Sequence, residues 1–351
     1  MASIDQNIVN RVRKLTKPSN TAQALQPVFE AVSNGKFAID DLNELRKIED
    51  RGRGRIDVEV SKLSDPSKVV IKVSDDGIGL DAERFKAFCV IDTDFKSKKG
   101  GKGVGRLFWL DSFRKVSVFS AFKGSSGLAQ RAFDFVLTNE DQIVDRDPAK
   151  GTAITLGTRV EFSGVRGDRY LQHFPKKRDT FLRYFSAHFI ADFLVGNGPD
   201  IFVNVNGDIT SYPKAISELV VGEKVVITTP NHDDFGILTI ECFTCNEDAS
   251  KGLDGMHQIH LLADDRTVST REVDKLIGLR RLVRNGVDDL VFHGCVSGSY
   301  LNDHVNEGRT AFTIDEKKLK ALSRFCVDAV KQTFLPEQIA EYVAARRSDY
   351  H

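Results

Sequence analysis

The chain has 351 residues, long enough for two domains with substantial cores, and its 41% hydrophobic and 28% charged residues are those of a globular protein. Lys+Arg and Asp+Glu balance at 50 each, so net charge gives no footprint for nucleic acid or a membrane surface. No run of about 18 apolar residues is present to suggest a transmembrane helix. The opening stretch "MASIDQNIVNRVRKL" lacks the apolar centre of a signal peptide.

In chain order, residues 21–34 carry Leu25, Val28, Phe29 and Val32 at the three-and-four spacing of an amphipathic helix. Two strands follow, Ile56–Val60 and Val69–Val73, joined by a loop at Asp65-Pro66. Residues 81–99 read as helix turning basic, and "GGKGVGRLFWLDSF" as a glycine loop opening an apolar helix. "KVSVFSAF", "QRAFDFVL" and "GTAITLGTRVEF" read as strands, 175–195 as a helix, and "DIFVNVNG" as a strand ending in an Asn-Gly turn. From about residue 220, strands "KVVITT", "FGILTIECF", "MHQIHLLA" and "DLVFHGCVSG" frame an expected helix at 270–284, and a last helix covers 315–334. The order of elements predicts an α+β protein of two domains.

Five cysteines (Cys89, Cys242, Cys245, Cys295, Cys326) form no disulfide framework, which predicts a reducing, cytoplasmic setting. Cys242 and Cys245 make one C-x-x-C, with His257 and His260 the only further ligands for a metal; two packed core thiols are the other reading.

Four motifs carry chemistry. Glu30 and Asn34 stand four apart on the first helix, hence one turn apart on one face. They read either as a solvated pair or as a carboxylate that deprotonates water beside an amide oxygen suited to magnesium. Asp75-Asp76-Gly77-Ile78-Gly79 ends the second strand; Asp and Gly there suit a plain turn as well as one wall of a nucleotide pocket. Gly100, Gly103 and Gly105 give G-x-x-G-x-G before a helix, where backbone N–H groups and the helix N-terminus can face a phosphate chain. Gly151-Thr152 then precedes "AITL".

E-x-x-x-N, D-x-G-x-G, G-x-x-G-x-G and G-T in this order resemble the GHKL superfamily, which groups gyrase, the heat-shock chaperone ATPase, histidine kinases and the mismatch-repair protein MutL. The resemblance implies an N-terminal Bergerat-type α/β sandwich, a mixed sheet with helices on one face, over residues 1–215, with a lid at about 81–105. A smaller α/β transducer-like (middle) domain would occupy 216–351. It implies ATP and Mg2+ as cofactors. Glu30 would be the general base and Asn34 the magnesium ligand. Asp75 would accept from the adenine amino group in a wall that includes Gly77 and Gly79, with Gly79 letting the ring approach. Thr152 would support Asp75. Gly101, Gly103, Val104 and Gly105 would offer N–H groups to the phosphates, and Ser97 and Lys98 would touch phosphate from the lid. Many relatives carry Asp-Ala three residues after the Asn; here that place is Phe37-Ala38.

The long second half is similar to the branch that couples ATP to movement, with the heat-shock chaperone and MutL as its models. On that match Arg309 would sense the γ-phosphate, its other reading being an ion pair with Glu307 or Asp315. Arg280, Arg281 and Arg284 read as a solvated face of the expected 270–284 helix. The expected function is slow, magnesium-dependent ATP hydrolysis driving lid closure and dimerisation, with ADP released, as homodimer or with a partner protein. The alternatives are a weakly hydrolysing ATP sensor that recruits a partner, or an ATPase subunit of a DNA-handling or defence system. Nucleic acid gains no support from charge, and no membrane partner is expected. The chain ends in "ARRSDYH" soon after Arg309, as expected of a truncated protein or of one whose partner is a separate chain.

Overall fold

In the computed structural model, residues 7–90, 105–148, 155–264, 266–306 and 311–340 are described. The chain divides into two compact units, one of Met1–Phe185 with Asn197–Tyr212, the other of Ser186–Gly196 with Pro213–His351. Two large mixed sheets, one per unit, make it an α+β protein.

The first unit opens with α1 (Ile8–Arg13) and α2 (Thr21–Leu45). The start of α2 is fixed by reciprocal capping: Asn20 Oδ1 accepts the Gln23 N–H (2.9 Å), while Gln23 Oε1 accepts the Ser19 N–H (2.8 Å). The helix runs beyond residue 34 to Leu45 and buries Leu25, Val28, Phe29, Val32, Ile39 and Leu42. Each such side chain contributes about 1.5–3 kcal/mol on burial. Then come β1 (Arg55–Ser61), β2 (Val70–Asp75), α3 (Ala82–Cys89), α4 (Gly105–Ser112), β3 (Phe113–Gly124), β4 (Gly127–Phe135), β5 (Ile143–Asp145) and β6 (Gly157–Val165). The expected helix over 175–195 is broken at Phe189 into α6 (Arg178–His188) and α7 (Ile190–Val195), after α5 (Asp168–His173), and the break falls in the segment Ser186–Gly196, which belongs to the second unit. β7 (Asp200–Val205) and β8 (Asp208–Tyr212) are joined by Asn206-Gly207, both at positive φ (54° and 103°), the turn that matches strand twist.

The eight strands lie in the order β5-β4-β3-β6-β2-β1-β7-β8. Only β1 and β7 run parallel; the other neighbours are antiparallel. Helices cover one face: β1 alternates, with Ile56, Val58 and Val60 buried beneath α2 and Arg55 and Glu59 turned to solvent. Under α4, Trp109 meets Phe162 edge-on at 5.5 Å, and Phe113 stacks on Phe162 at 4.7 Å.

The second unit contains α8 (Lys214–Ser217), β9 (Val225–Thr228), β10 (Thr239–Cys245), β11 (Gln258–Ala263), β12 (Arg266–Glu272), α9 (Asp274–Ile277), β13 (Leu282–Arg284), β14 (Val287–Ser297), α10 (Ser299–Asp303) and α11 (Glu316–Thr333). Its sheet order is β12-β11-β14-β10-β9, with β13 beside β14. Leu319, Leu322, Cys326, Val327 and Val330 of α11 join the sheet core. The helix expected at 270–284 is cut to the single turn of α9, with strand on either side. β12 occupies its start, and α9 is stopped by Gly278 in the left-handed region (φ 79°). Arg281 and Arg284 therefore share no helical face: Arg281 pairs with Glu247 (3.0 Å), and Arg284 donates to the Glu223 carbonyl (2.6 Å).

Three histidines are buried in this unit. His260 Nε2 and His293 Nδ1 share one hydrogen bond (3.0 Å), and His260 Nδ1 faces Thr270 Oγ1 (3.0 Å). His257 Nδ1 accepts the Phe292 N–H, so its Nε2 donates to the Leu279 carbonyl. Burial pushes His260 down to about 4 from the ordinary 6.5, and burial with two neighbouring imidazoles pushes His293 down too. A depressed imidazole keeps the folded state neutral while the unfolded chain takes up protons. Stability is therefore full above about pH 6.5 and is lost as pH falls towards 4. Urea unfolding followed from about pH 7.5 to about pH 4.5 should lose up to ~3 kcal/mol through His260. Leucine at both 260 and 293 should flatten that acid limb.

Candidate functional site

β2 brings Asp75 to the end of the helix-covered face, directly opposite Thr158 of β6; Thr158 in turn lies opposite Ser120 of β3. Ile56 of β1 and Arg131 of β4 complete the row. Partners in adjacent strands point to the same face, so five residues from five strands line one edge of the site.

The Asp75 carboxylate is fixed by backbone: Oδ1 accepts the Gly77 N–H at 2.9 Å and the Thr158 N–H at 3.3 Å. Beyond it, Ser120 Oγ accepts the Leu80 N–H (2.7 Å) and stands 3.0 Å from Thr158 Oγ1 and 3.1 Å from the Gly157 carbonyl. Arg131 donates to the carbonyls of Leu80 (2.7 Å) and Asp81 (3.2 Å) and lies over the Phe85 ring at 3.8 Å. The turn after β2 is thus held from two strands. Asp76 points away to accept the Arg55 N–H (2.8 Å), closing the end of β1.

Two glycines make this approach possible. Gly157 (φ 124°) lies so near the Asp75 carbonyl that any Cβ would overlap it, and Gly79 (φ 78°) meets the Ala121 carbonyl in the same way. The need for glycine at 79 comes from β3, not from the open side of the site. Gly77 packs on Ala38, whose carbonyl accepts the Ile78 N–H (3.0 Å). The Ala38 of Phe37-Ala38 is therefore a contact of the turn.

α2 supplies the second wall. Gly35 faces Asp75, where an added Cβ would stand 3.1 Å from the Asp75 Cβ; Asn34 precedes it on α2, with Glu30 one turn before Asn34. Gln26, one turn before Glu30, donates to Glu30 Oε1 (3.0 Å). The first residue of α4, Gly105, abuts the Glu30 carboxylate so closely that a Cβ would collide with it. α4 is anchored at its other end. Trp109 Nε1 donates to the Pro27 carbonyl (2.9 Å), Lys17 pairs with Asp111, and the Arg166 guanidinium takes the carbonyls of Leu110 and Asp111.

Asp75 and Gly77 are thus held together with Gly79 two residues on, Glu30 meets Gly105, and Asn34 stands one turn from Glu30 on α2. Ser97, Lys98, Gly101, Gly103, Val104, Thr152 and Arg309 lie outside the described residues. Asp75 also has a contact the sequence did not single out, the Thr158 N–H. The signal was a second Gly-Thr, Gly157-Thr158, immediately before the alternating stretch "RVEF". Gln26 and Ser120 had no comparable signal.

As to metals, Asn34 offers an amide oxygen one turn from the Glu30 carboxylate. Among the described residues no group of three or more His, Cys, Asp or Glu could hold an ion. That donor set fits magnesium, which keeps its waters and relies on substrate phosphates, better than zinc. Cys242 and Cys245 are fully buried in β10, and burial pushes both thiols up to about 12, so they are core thiols. No described helix is long and apolar enough to cross a membrane.

A scan against protein-family models found no match, and a search of curated proteins found none either. Among solved structures, the chain is similar to the N-terminal domain of a DNA repair protein. The match has a TM-score of 0.57 at 14% sequence identity and covers 96% of this chain and 98% of that one. At that identity the likeness is one of fold.

The Gly157 contact gives a sharp expectation. Gly157→Ala should cost about 3 kcal/mol in urea unfolding, because it combines positive φ with overlap on the Asp75 backbone. Gly127→Ala, at similar φ but in open space, should cost about 1 kcal/mol.

Proposed function

We propose that the chain is a magnesium-dependent, ATP-hydrolysing member of the GHKL superfamily that uses nucleotide to change conformation. The observation that carries this reading is convergence. Gly105 abuts Glu30, and Thr158 and Gly35 meet Asp75, so that a strand end, one helix and a helix start far apart in sequence are packed on one another. A plain strand exit at Asp75 would need neither Gly35 beneath it nor a glycine helix start against Glu30.

In this reading Asp75, held by two backbone donors, accepts from the exocyclic amine of adenine. The start of α4 at Gly105 offers N–H groups to the phosphates. Glu30, oriented by Gln26, takes the proton from the attacking water. Asn34 would hold magnesium, which when bound neutralises the charge that builds on the phosphates. Ser97, Lys98, Gly101, Gly103 and Val104 would belong to the lid, and Arg309 would reach the γ-phosphate from the second unit; these roles come from the resemblance alone. Between the chaperone-like and MutL-like branches, the fold likeness to a DNA repair protein favours the second. Work on DNA is accordingly the second reading, and ATP-dependent dimerisation belongs to the same proposal.

Glu30→Ala should keep ATP affinity within about threefold and lose roughly 10²–10⁴ in steady-state phosphate release. Unchanged release would remove Glu30 from catalysis. Asp75→Asn should weaken ATP binding by roughly 100-fold or more in calorimetry, since a carboxylate becomes an amide that can present a donor to the amine. For the DNA reading, duplex affinity that falls linearly with log salt is expected; no binding at low salt would leave the chain an ATPase of another process.

A further inference from the structure

Ser120 sits in the middle of β3, 1% exposed, and its hydroxyl has three contacts for one proton and two lone pairs. The Leu80 N–H can only donate to it, and the Gly157 carbonyl can only accept from it. The third contact, Thr158 Oγ1 at 3.0 Å, permits either direction. All three contacts are engaged at once only if Ser120 donates to Gly157 and receives both the Leu80 N–H and the Thr158 hydroxyl proton.

That assignment turns the Thr158 proton inward, towards β3, and leaves the lone pairs of this half-buried hydroxyl able only to accept. Thr158 and Asp75 are directly opposed on one face. Asp75 is a carboxylate whose Oδ1 already takes the Gly77 and Thr158 N–H groups. An edge made by these two side chains then contains acceptors and no side-chain donor.

We infer that Ser120 is a specificity-determining positioning residue: by binding the Thr158 hydroxyl proton, it makes the base-facing edge accept only, selecting a purine with a 6-amino group against a 6-oxo group. The inference rests on the proposed nucleotide site but goes beyond it, because it assigns base discrimination to a buried side chain that touches no base. Without Ser120, the Thr158 hydroxyl is free to rotate and donate to a 6-oxo oxygen.

The test is calorimetric titration of the full chain with Mg-ATP and Mg-ITP, which differ at the 6-position and in the protonation of N1. Wild type should prefer ATP. Ser120→Ala should narrow the ATP-to-ITP affinity ratio roughly fivefold, the size of one ordinary hydrogen bond. Adding Ser120→Ala to Thr158→Val should change the ratio no further, since the hydroxyl it controls is gone. A merely structural role would weaken both nucleotides in proportion, so an unchanged ratio in Ser120→Ala overturns the inference while leaving the nucleotide site intact. Should Ser120→Ala fail to fold, Thr158→Val alone must narrow the ratio, and an unchanged ratio there is equally fatal. Wild type that binds neither nucleotide would instead overturn the site itself, and the inference with it.

Discussion

Everything at the site hangs on how the Asp75 carboxylate is held. A carboxylate at a strand end normally swings in water. Here two backbone N–H groups, from Gly77 and Thr158, meet Oδ1, and charge-assisted bonds of this kind are about twice as strong as neutral ones. Both donors are in place only because backbones pack tightly around them: Gly157 against the Asp75 carbonyl, Gly77 against Ala38 and Gly79 against Ala121. The glycines of the D-x-G-x-G turn thus act by letting three strands and a helix crowd one acid.

The same crowding organises α2 and α4. Gly35 lets α2 cross close to Asp75, and five residues earlier on the same helix Glu30 meets the start of α4. Trp109, Lys17 and Arg166 secure α4 from behind, and its first residue is held against the Glu30 carboxylate. One strand end, one helix and one helix start thereby hold the Asp75 carboxylate, the Glu30 carboxylate and the first residue of α4 in fixed places. Local order of this kind is what preorganisation requires.

Much of this was readable from the chain. The strand alternation before Asp75, the Glu30–Asn34 spacing and the Asn206-Gly207 hairpin each carry a local physical cause, and each stands as expected. Other features did not. α2 passes through Asn34-Gly35, a pair that reads as a helix end, because tertiary contact with β2 repays the glycine. The helix expected at 270–284 gave way to strand, since β12 completes a sheet edge beside β11 that no window of local periodicity can see. Thr158 stands in a second Gly-Thr pair six residues after Gly151-Thr152, and only strand register shows that it faces Asp75. Ser120 and Gln26 act through partners 38 residues away or one helical turn away, and a serine or glutamine carries no signal of that by itself.

The central claim is that the end of the Asp75–Thr158–Ser120 row is an adenine-nucleotide site. The most direct measurement is an amide NMR titration of the wild-type chain with Mg-ATP. The account predicts that the Gly77, Leu80, Thr158 and Gly105 amides shift together, with one shared affinity, while those around His260 and His293 stay still. Saturating Mg-ATP that leaves those four amides unmoved would contradict it.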